Sequence, residues 1–140
     1  MKMNSVLKIF FLFAFASLFF FSCKKQPGIG GDATINGNVH AQHFNTTFTQ
    51  FISEYPGADV YVYLVPGNDI TYIKRIKTDY NGNYEFKFLY PGKYKVYAYS
   101  LDSSFSQHTS TSSGSIPVID STIISGRKDV ITLDTIRIFN

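Results

Sequence analysis

From Ala33 onward the chain is cut at short intervals by turn pairs: Pro56-Gly57, Pro66-Gly67, Asn81-Gly82, Pro91-Gly92 and Ser125-Gly126. Proline fixes φ and lacks a backbone donor, glycine accepts positive φ, and Asn-Gly suits a two-residue hairpin turn. Regular elements therefore have to be short. The runs between the pairs are rich in Val, Ile, Tyr, Phe and Thr, and none holds a helical apolar period over three turns. A chain of 140 residues allows one domain, and closely spaced strands with such turns predict an all-β fold. The expectation is a seven-stranded antiparallel β-sandwich over residues 33–140, of Greek-key type.

Alternation places the faces. Ile35, Gly37 and Val39 share one face of the first strand; Ala58, Val60, Val62 and Leu64 share one face of the second. Ile70 to Lys77 reads as a third strand with mixed faces. Tyr84, Phe86 and Phe88 alternate with Asn83, Glu85 and Lys87, and Tyr94, Val96 and Ala98 with Lys95, Tyr97 and Tyr99. The last strand, Val130 to Phe139, alternates imperfectly and predicts a bulge or register change near Asp134 and Thr135. The segment His40–Tyr55 is read as a long connection, either one helical turn or an aromatic loop, and residues 102–115 as a Ser/Thr-rich loop.

The N-terminus obeys different rules. Residues 1–8 carry two lysines and no acid, and Ile9–Phe21 is apolar apart from Ser17. At 13 residues this run is short of the about 20 that a membrane-spanning helix needs. A positive start before a short apolar core has the form of a secretory signal, here residues 1–22. Phe20-Phe21-Ser22-Cys23 resembles the lipobox of bacterial lipoproteins, which implies acylation of Cys23 and an anchor in a membrane. Cys23 is the only cysteine, so no internal disulfide competes for it. Residues 23–32, with Pro27 and three glycines among them, read as a lipid-anchored flexible tether. The formal charge of +3 falls to +1 when Lys2 and Lys8 leave with the signal, and no basic cluster exceeds Lys24-Lys25. A nucleic-acid partner is thereby excluded.

Thr34 to Tyr99 resembles the carboxypeptidase regulatory-like domain. The carrying blocks are Ile35-Asn36-Gly37-Asn38-Val39, Pro56-Gly57-Ala58-Asp59-Val60, Thr78 to Phe86, and Leu89-Tyr90-Pro91-Gly92-Lys93-Tyr94-Lys95-Val96. The resemblance implies a transthyretin-like sandwich that serves as a spacer or adhesive module without catalytic residues of its own.

Little else in the sequence carries chemistry. His40 and His43 stand three apart, which on a strand points them to opposite faces, and with His108 they read as surface histidines rather than metal ligands. Asp79, Asn81 and Asn83 mimic alternating calcium ligands, but the bidentate Glu expected later in such a loop is missing and turn geometry explains them. No G-x-S-x-G elbow and no phosphate-binding glycine loop occurs, and neither a cofactor nor a metal is expected. One set remains. With Val62, Leu64, Val96 and Ala98 inward, Tyr61, Tyr63, Tyr97 and Tyr99 face outward on neighbouring strands. That arrangement is either cross-strand pairing or a binding face.

The expected function is a non-catalytic envelope lipoprotein whose sandwich acts as a structural or protein-interaction module. The alternatives are a cell-surface carbohydrate-binding lipoprotein using the tyrosines, and a periplasmic accessory subunit of a transporter or enzyme. The partners implied are a membrane through the N-terminal lipid and an envelope protein or glycan. The expected place is the outer membrane, and Lys24-Lys25-Gln26 after the cysteine favours its periplasmic side. Mass spectrometry of the mature N-terminus is expected to find acylated Cys23 as the first residue. A chain still carrying residues 1–22 with an unmodified thiol would remove the lipoprotein reading.

Overall fold

The computed structural model describes residues 26–102 and 114–139. Cys23, His108 and the signal segment lie outside the described residues, as does most of the Ser/Thr-rich loop. The described residues form nine strands: β1 Ile29–Phe44, β2 Phe51–Pro56, β3 Tyr61–Pro66, β4 Lys74–Lys77, β5 Asn83–Leu89, β6 Gly92–Leu101, β7 Ser115–Ile124, β8 Val130–Thr132 and β9 Ile136–Phe139. No helix occurs among them.

β1 organises the first sheet. Its 16 residues contain no proline, and Ala33, Ile35, Val39 and Ala41 turn alternately onto the core and are buried. The first half pairs antiparallel with β5 and parallel with β8, and the second half antiparallel with β2 and parallel with β9. Val39 marks the junction: its N–H donates to the Gly82 carbonyl at 2.8 Å and its carbonyl accepts from Gly57 N–H at 2.8 Å. Both backbone groups of one strand residue point to the same side. β5 and β2 therefore follow each other along one side of β1, and β8 and β9 along the other. The second sheet is antiparallel throughout, in the order β4-β3-β6-β7.

The two sheets bury one core between them. Ile35, Phe86, Leu89, Ile136 and Ile138 come from the first sheet, and Val62, Leu64, Tyr94, Val96, Ala98 and Ile124 from the second. Each fully buried Val, Leu, Ile or Phe side chain among them contributes about 1.5–3 kcal/mol of transfer free energy. Ser100 ties the layers at one edge, its Oγ accepting from Phe139 N–H at 2.8 Å. Thr78, also buried, accepts from Val60 N–H at 2.9 Å and donates to the Gly57 carbonyl. This fixes the corner between β2 and β3.

The all-β sandwich agrees with the sequence reading, and the differences have local causes. Nine strands replace seven because the expected connection His40–Tyr55 is itself a hairpin. β1 runs on to Phe44, and Asn45 Oδ1 caps the turn by accepting from Thr49 and Gln50 N–H at 2.9 and 3.2 Å. The last strand breaks at 133–135, where the irregularity was expected, and its two pieces pair parallel to β1. Only Lys74–Lys77 of the expected third strand pairs as one. Phe88 does not follow Tyr84 and Phe86 inward: its φ of 65° turns the ring out, 62 % exposed, and Leu89 is buried in its place. Asn81-Gly82 is not a hairpin between paired strands. Gly82 N–H donates to the Asp79 carbonyl at 3.0 Å, only Gly82 of the two has positive φ, and the turn carries the chain from β4 in one sheet to β5 in the other.

The tether also ends earlier than expected. Gly28 N–H donates to the Tyr94 hydroxyl at 2.7 Å, and that hydroxyl donates to the Tyr90 carbonyl at 2.7 Å. Pro27 packs where a Cβ on Gly92 would stand, so the fold proper includes residues from Pro27 on.

Gly37 sits on the inward face directly opposite Tyr84, and a Cβ there would collide with the Tyr84 phenol. The glycine is what admits that ring to the core. The Tyr84 hydroxyl is buried with no hydrogen-bond partner among the described residues, and burial pushes its pKa up. A buried hydroxyl without a partner costs about 1–3 kcal/mol. Tyr84→Phe is therefore expected to raise stability by about 1 kcal/mol, or roughly 4 °C in Tm. Gly37→Ala is expected to lose about 1–3 kcal/mol through overpacking, with part of that loss recovered in the Tyr84→Phe background. Thermal melts of the three variants check this, and a lower Tm for Tyr84→Phe alone would show that the hydroxyl has a partner.

Candidate functional site

On β3 and β6 the alternation that buries Val62, Leu64, Val96 and Ala98 sends Tyr61, Tyr63, Tyr97 and Tyr99 to the outer face of the second sheet. Tyr63 and Tyr97 are direct cross-strand partners, and their rings stack with centroids 4.8 Å apart and planes 6° apart. Tyr99 meets both edge-on, at 5.6 and 5.5 Å. Three of the four expected tyrosines thus form one cluster. Tyr61 stands apart from it in ring contacts: the Arg75 guanidinium lies 4.3 Å from its ring centroid and Lys77 Nζ 5.0 Å.

Two residues join the face that alternation alone did not place there. Tyr72, in the connection before β4, sets its ring edge against Tyr63 at 5.1 Å. Arg75 is paired in register with Tyr63, and its hydrogen bond to the Tyr63 side chain holds its pKa above the ordinary value. The pairing of β4 with β3 would have revealed Arg75. Tyr72 lies in an irregular segment, where no periodicity points to it.

The rings are neither buried nor loose. Tyr61 is 42 % and Tyr99 48 % exposed, whereas Tyr63 and Tyr97 at the centre are half-buried. Partial burial, first of all, raises the Tyr97 pKa, so its hydroxyl remains a donor at neutral pH. A recess of about 300 Å³ adjoins the cluster, lined by Val65, Lys95, Tyr97, Tyr99, Pro117 and Ile119 among others. The face offers ring surfaces, phenol donors and cations at its border.

The remaining candidates have structural partners. His40 Nδ1 stands 2.7 Å from Glu54 Oε1, and hydrogen bonds from Gln42 and then His40 hold the Glu54 carboxyl below its usual range. Asp79 Oδ1 accepts from Asn81 and Asn83 N–H at 2.9 and 2.8 Å, and the Asn83 amide lowers its pKa. This carboxylate caps its turn. Among the described residues no group of three His, Cys, Asp or Glu side chains is placed to hold a metal.

A two-layer β-sandwich with an aromatic outer face is thus the class that fold and site define. Residues 34–125 match the family model of the BOS complex subunit NOMO1-like, second beta sandwich domain, and the chain belongs to that family. The stretch that resembled a carboxypeptidase regulatory-like domain lies inside this match. Among curated proteins none matches. Solved structures similar to the chain include a candidate carbohydrate binding protein from Pseudomonas aeruginosa, at 15% identity and TM-score 0.49, covering 86% of this chain and 94% of that one. (S)-allantoin synthase is similar at 15% identity and TM-score 0.39, over 77% of this chain and 42% of that one. The 5-hydroxyisourate hydrolase of Klebsiella pneumoniae is similar at 14% identity and TM-score 0.37, over 74% of this chain and 87% of that one.

The stacked pair is expected to couple energetically. A double-mutant cycle with Tyr63→Leu and Tyr97→Leu should return a stability coupling of about 0.5–1.5 kcal/mol. Additive losses in denaturant unfolding would show that the two rings do not support each other.

Proposed function

We propose that this chain is a non-catalytic interaction module of the cell envelope, anchored through Cys23, that binds a partner protein with the tyrosine face of β3 and β6. The observation that carries the reading is the cluster of Tyr63, Tyr97, Tyr99 and Tyr72, held by its own ring contacts and by Arg75 on the outer side of a four-stranded sheet. Tyrosines in that state bring large contact area at small entropic cost, because two torsions per ring are already restrained. Acids elsewhere on the described surface have structural partners, which supports a non-catalytic role. Asp59 pairs with Lys77 at 2.7 Å, Glu85 with Lys87 at 2.9 Å, and the Asp79 carboxylate is committed to its turn.

Carbohydrate is the second reading, favoured by the recess beside Tyr97 and Tyr99, whose ring walls, with Lys95 and Asp69 at its border, suit a sugar ring and its hydroxyls. A photo-crosslinking residue at Tyr99 in growing cells separates the two. The protein reading expects one defined crosslinked protein that disappears in a Tyr63→Ser, Tyr97→Ser background and is not obtained from Ile52, on β2. The glycan reading expects no protein adduct and retention of the anchored protein on envelope polysaccharide, lost in the same background. A crosslink unchanged by the two substitutions would sink both.

A further inference from the structure

The exit of the N-terminal chain fixes which end of the sandwich lies nearest an anchor at Cys23. Pro27 packs on Gly92, and Gly28 is held by Tyr94 and by Tyr90, whose N–H donates to its carbonyl at 2.9 Å. Four residue steps separate Cys23 from Pro27, which reach at most about 14 Å. The same end carries the Tyr90–Gly92 turn, the Pro66-Gly67 turn, whose Gly67 N–H donates to the Lys93 carbonyl at 2.7 Å, and the Ser125–Asp129 turn after Ile124, the partner of Gly92. Phe44 and β2 lie at the other end of β1.

This end has an unusual surface. Phe88 is held outward in a backbone conformation that a bulky side chain rarely adopts, and Val130, 69 % exposed, and Ile123 project beside the neighbouring turns. Strained residues persist where the surrounding structure over-determines them, and they cluster at functional surfaces. The turns and strand ends here also carry Lys93, Lys95, Arg127 and Lys128. The acids at this end are Asp32, Asp69 and Asp129, and Asp129 is tied to Gly126 and Ser125 N–H at 2.6 and 3.1 Å. Four cations against three acids, one of them held by its turn, leave the described residues of this end positive. A recess of about 420 Å³ opens between the turns, lined by Asn68, Lys93, Lys95, Ser121, Thr122 and Ile123 among others, a donor set suited to a phosphate monoanion.

We propose that this end of the sandwich is a seat on an anionic phospholipid surface. Phe88, Val130 and Ile123 enter the headgroup boundary, and Lys93, Arg127 and Lys128 engage lipid phosphates. The proposal rests on the reading of Cys23 as the acylated anchor. Acyl chains alone let a domain swing on its linker. Apolar tips and cations added at the exit point fix its orientation and strengthen attachment. The tyrosine face then stands roughly perpendicular to the membrane plane and looks sideways.

The chain contains no tryptophan, so a single introduced one reports its own surroundings. The acylated full-length protein is reconstituted in phosphatidylcholine–phosphatidylglycerol vesicles with brominated acyl chains, as Phe88→Trp, Val130→Trp or Ile52→Trp. Quenching and a blue shift are expected at positions 88 and 130 and not at 52. The joint reversal Lys93→Glu, Arg127→Glu, Lys128→Glu, or neutral phosphatidylcholine vesicles, should remove the quenching while the protein stays bound through its acyl chains. Quenching absent at 88 and 130 in protein of verified acyl mass, or equal at 52, would overturn the seat. Quenching undiminished in neutral vesicles would overturn its ionic part. An intact mass without acyl groups would remove the anchor on which the seat rests, and so separates that failure from the others.

Discussion

The backbone of β1 is the constraint on which the molecule depends. It is hydrogen-bonded on both sides, to β5 and then β2 along one and to β8 and then β9 along the other. A buried backbone group left unpaired costs as much as a lost hydrogen bond, so the four neighbours can be displaced only together with the strand that satisfies them. The junction at Val39 shows how tightly this is arranged. A Cβ on Gly82 would strike the Val39 carbonyl and one on Gly57 the Val39 side chain, so two glycines bring two connections against one residue. The second sheet, by contrast, is a simple antiparallel ladder whose inner face closes the core and whose outer face is uncovered by the other described residues.

The legible part of the fold was the part governed by alternation. Ile35, Val39, Val62, Leu64, Tyr84, Phe86, Tyr94, Val96 and Ala98 are buried because strand period and turn position agree in placing them. The break near Asp134 was legible for the same reason, as a lapse in period. β2 was not, because FISEYP is exposed on both faces and has no apolar face to betray its period. Phe88 was not, because its reversal is set by how Leu89 meets Ile29 and Ala33, partners far away in sequence. The sheet change at Asn81-Gly82 likewise depends on Val39 and Gly57 rather than on the turn residues themselves.

The tyrosine face was half legible. Counting by twos placed Tyr61, Tyr63, Tyr97 and Tyr99 outward, but which rings touch depends on register. Tyr63 stands opposite Tyr97 and so stacks on it, while Tyr61 is left to Arg75 and Lys77. The cations come from β4, a strand of only four residues whose pairing decides that Arg75 falls beside Tyr63. A face assembled from a long ladder and a short edge strand has a fixed centre and an adjustable border. On the proposed reading, partner specificity is therefore easiest to alter at Tyr72 and Arg75.

The parallel pairing of β1 with β8 and β9 also governs the order in which the molecule is completed. Ile35 waits for Ile131 and Val39 for Ile136, so one flank of the central strand has no partner until residues 130–139 have been synthesised. Ladders between such distant segments form slowly, since loop closure precedes any gain from pairing. β3, β4, β5 and β6, being near neighbours in the chain, are free to meet first, yet their core stays open on one side. On the proposed export reading the chain gains from that delay, because the central strand is not paired on both sides before residues 130–139 have followed.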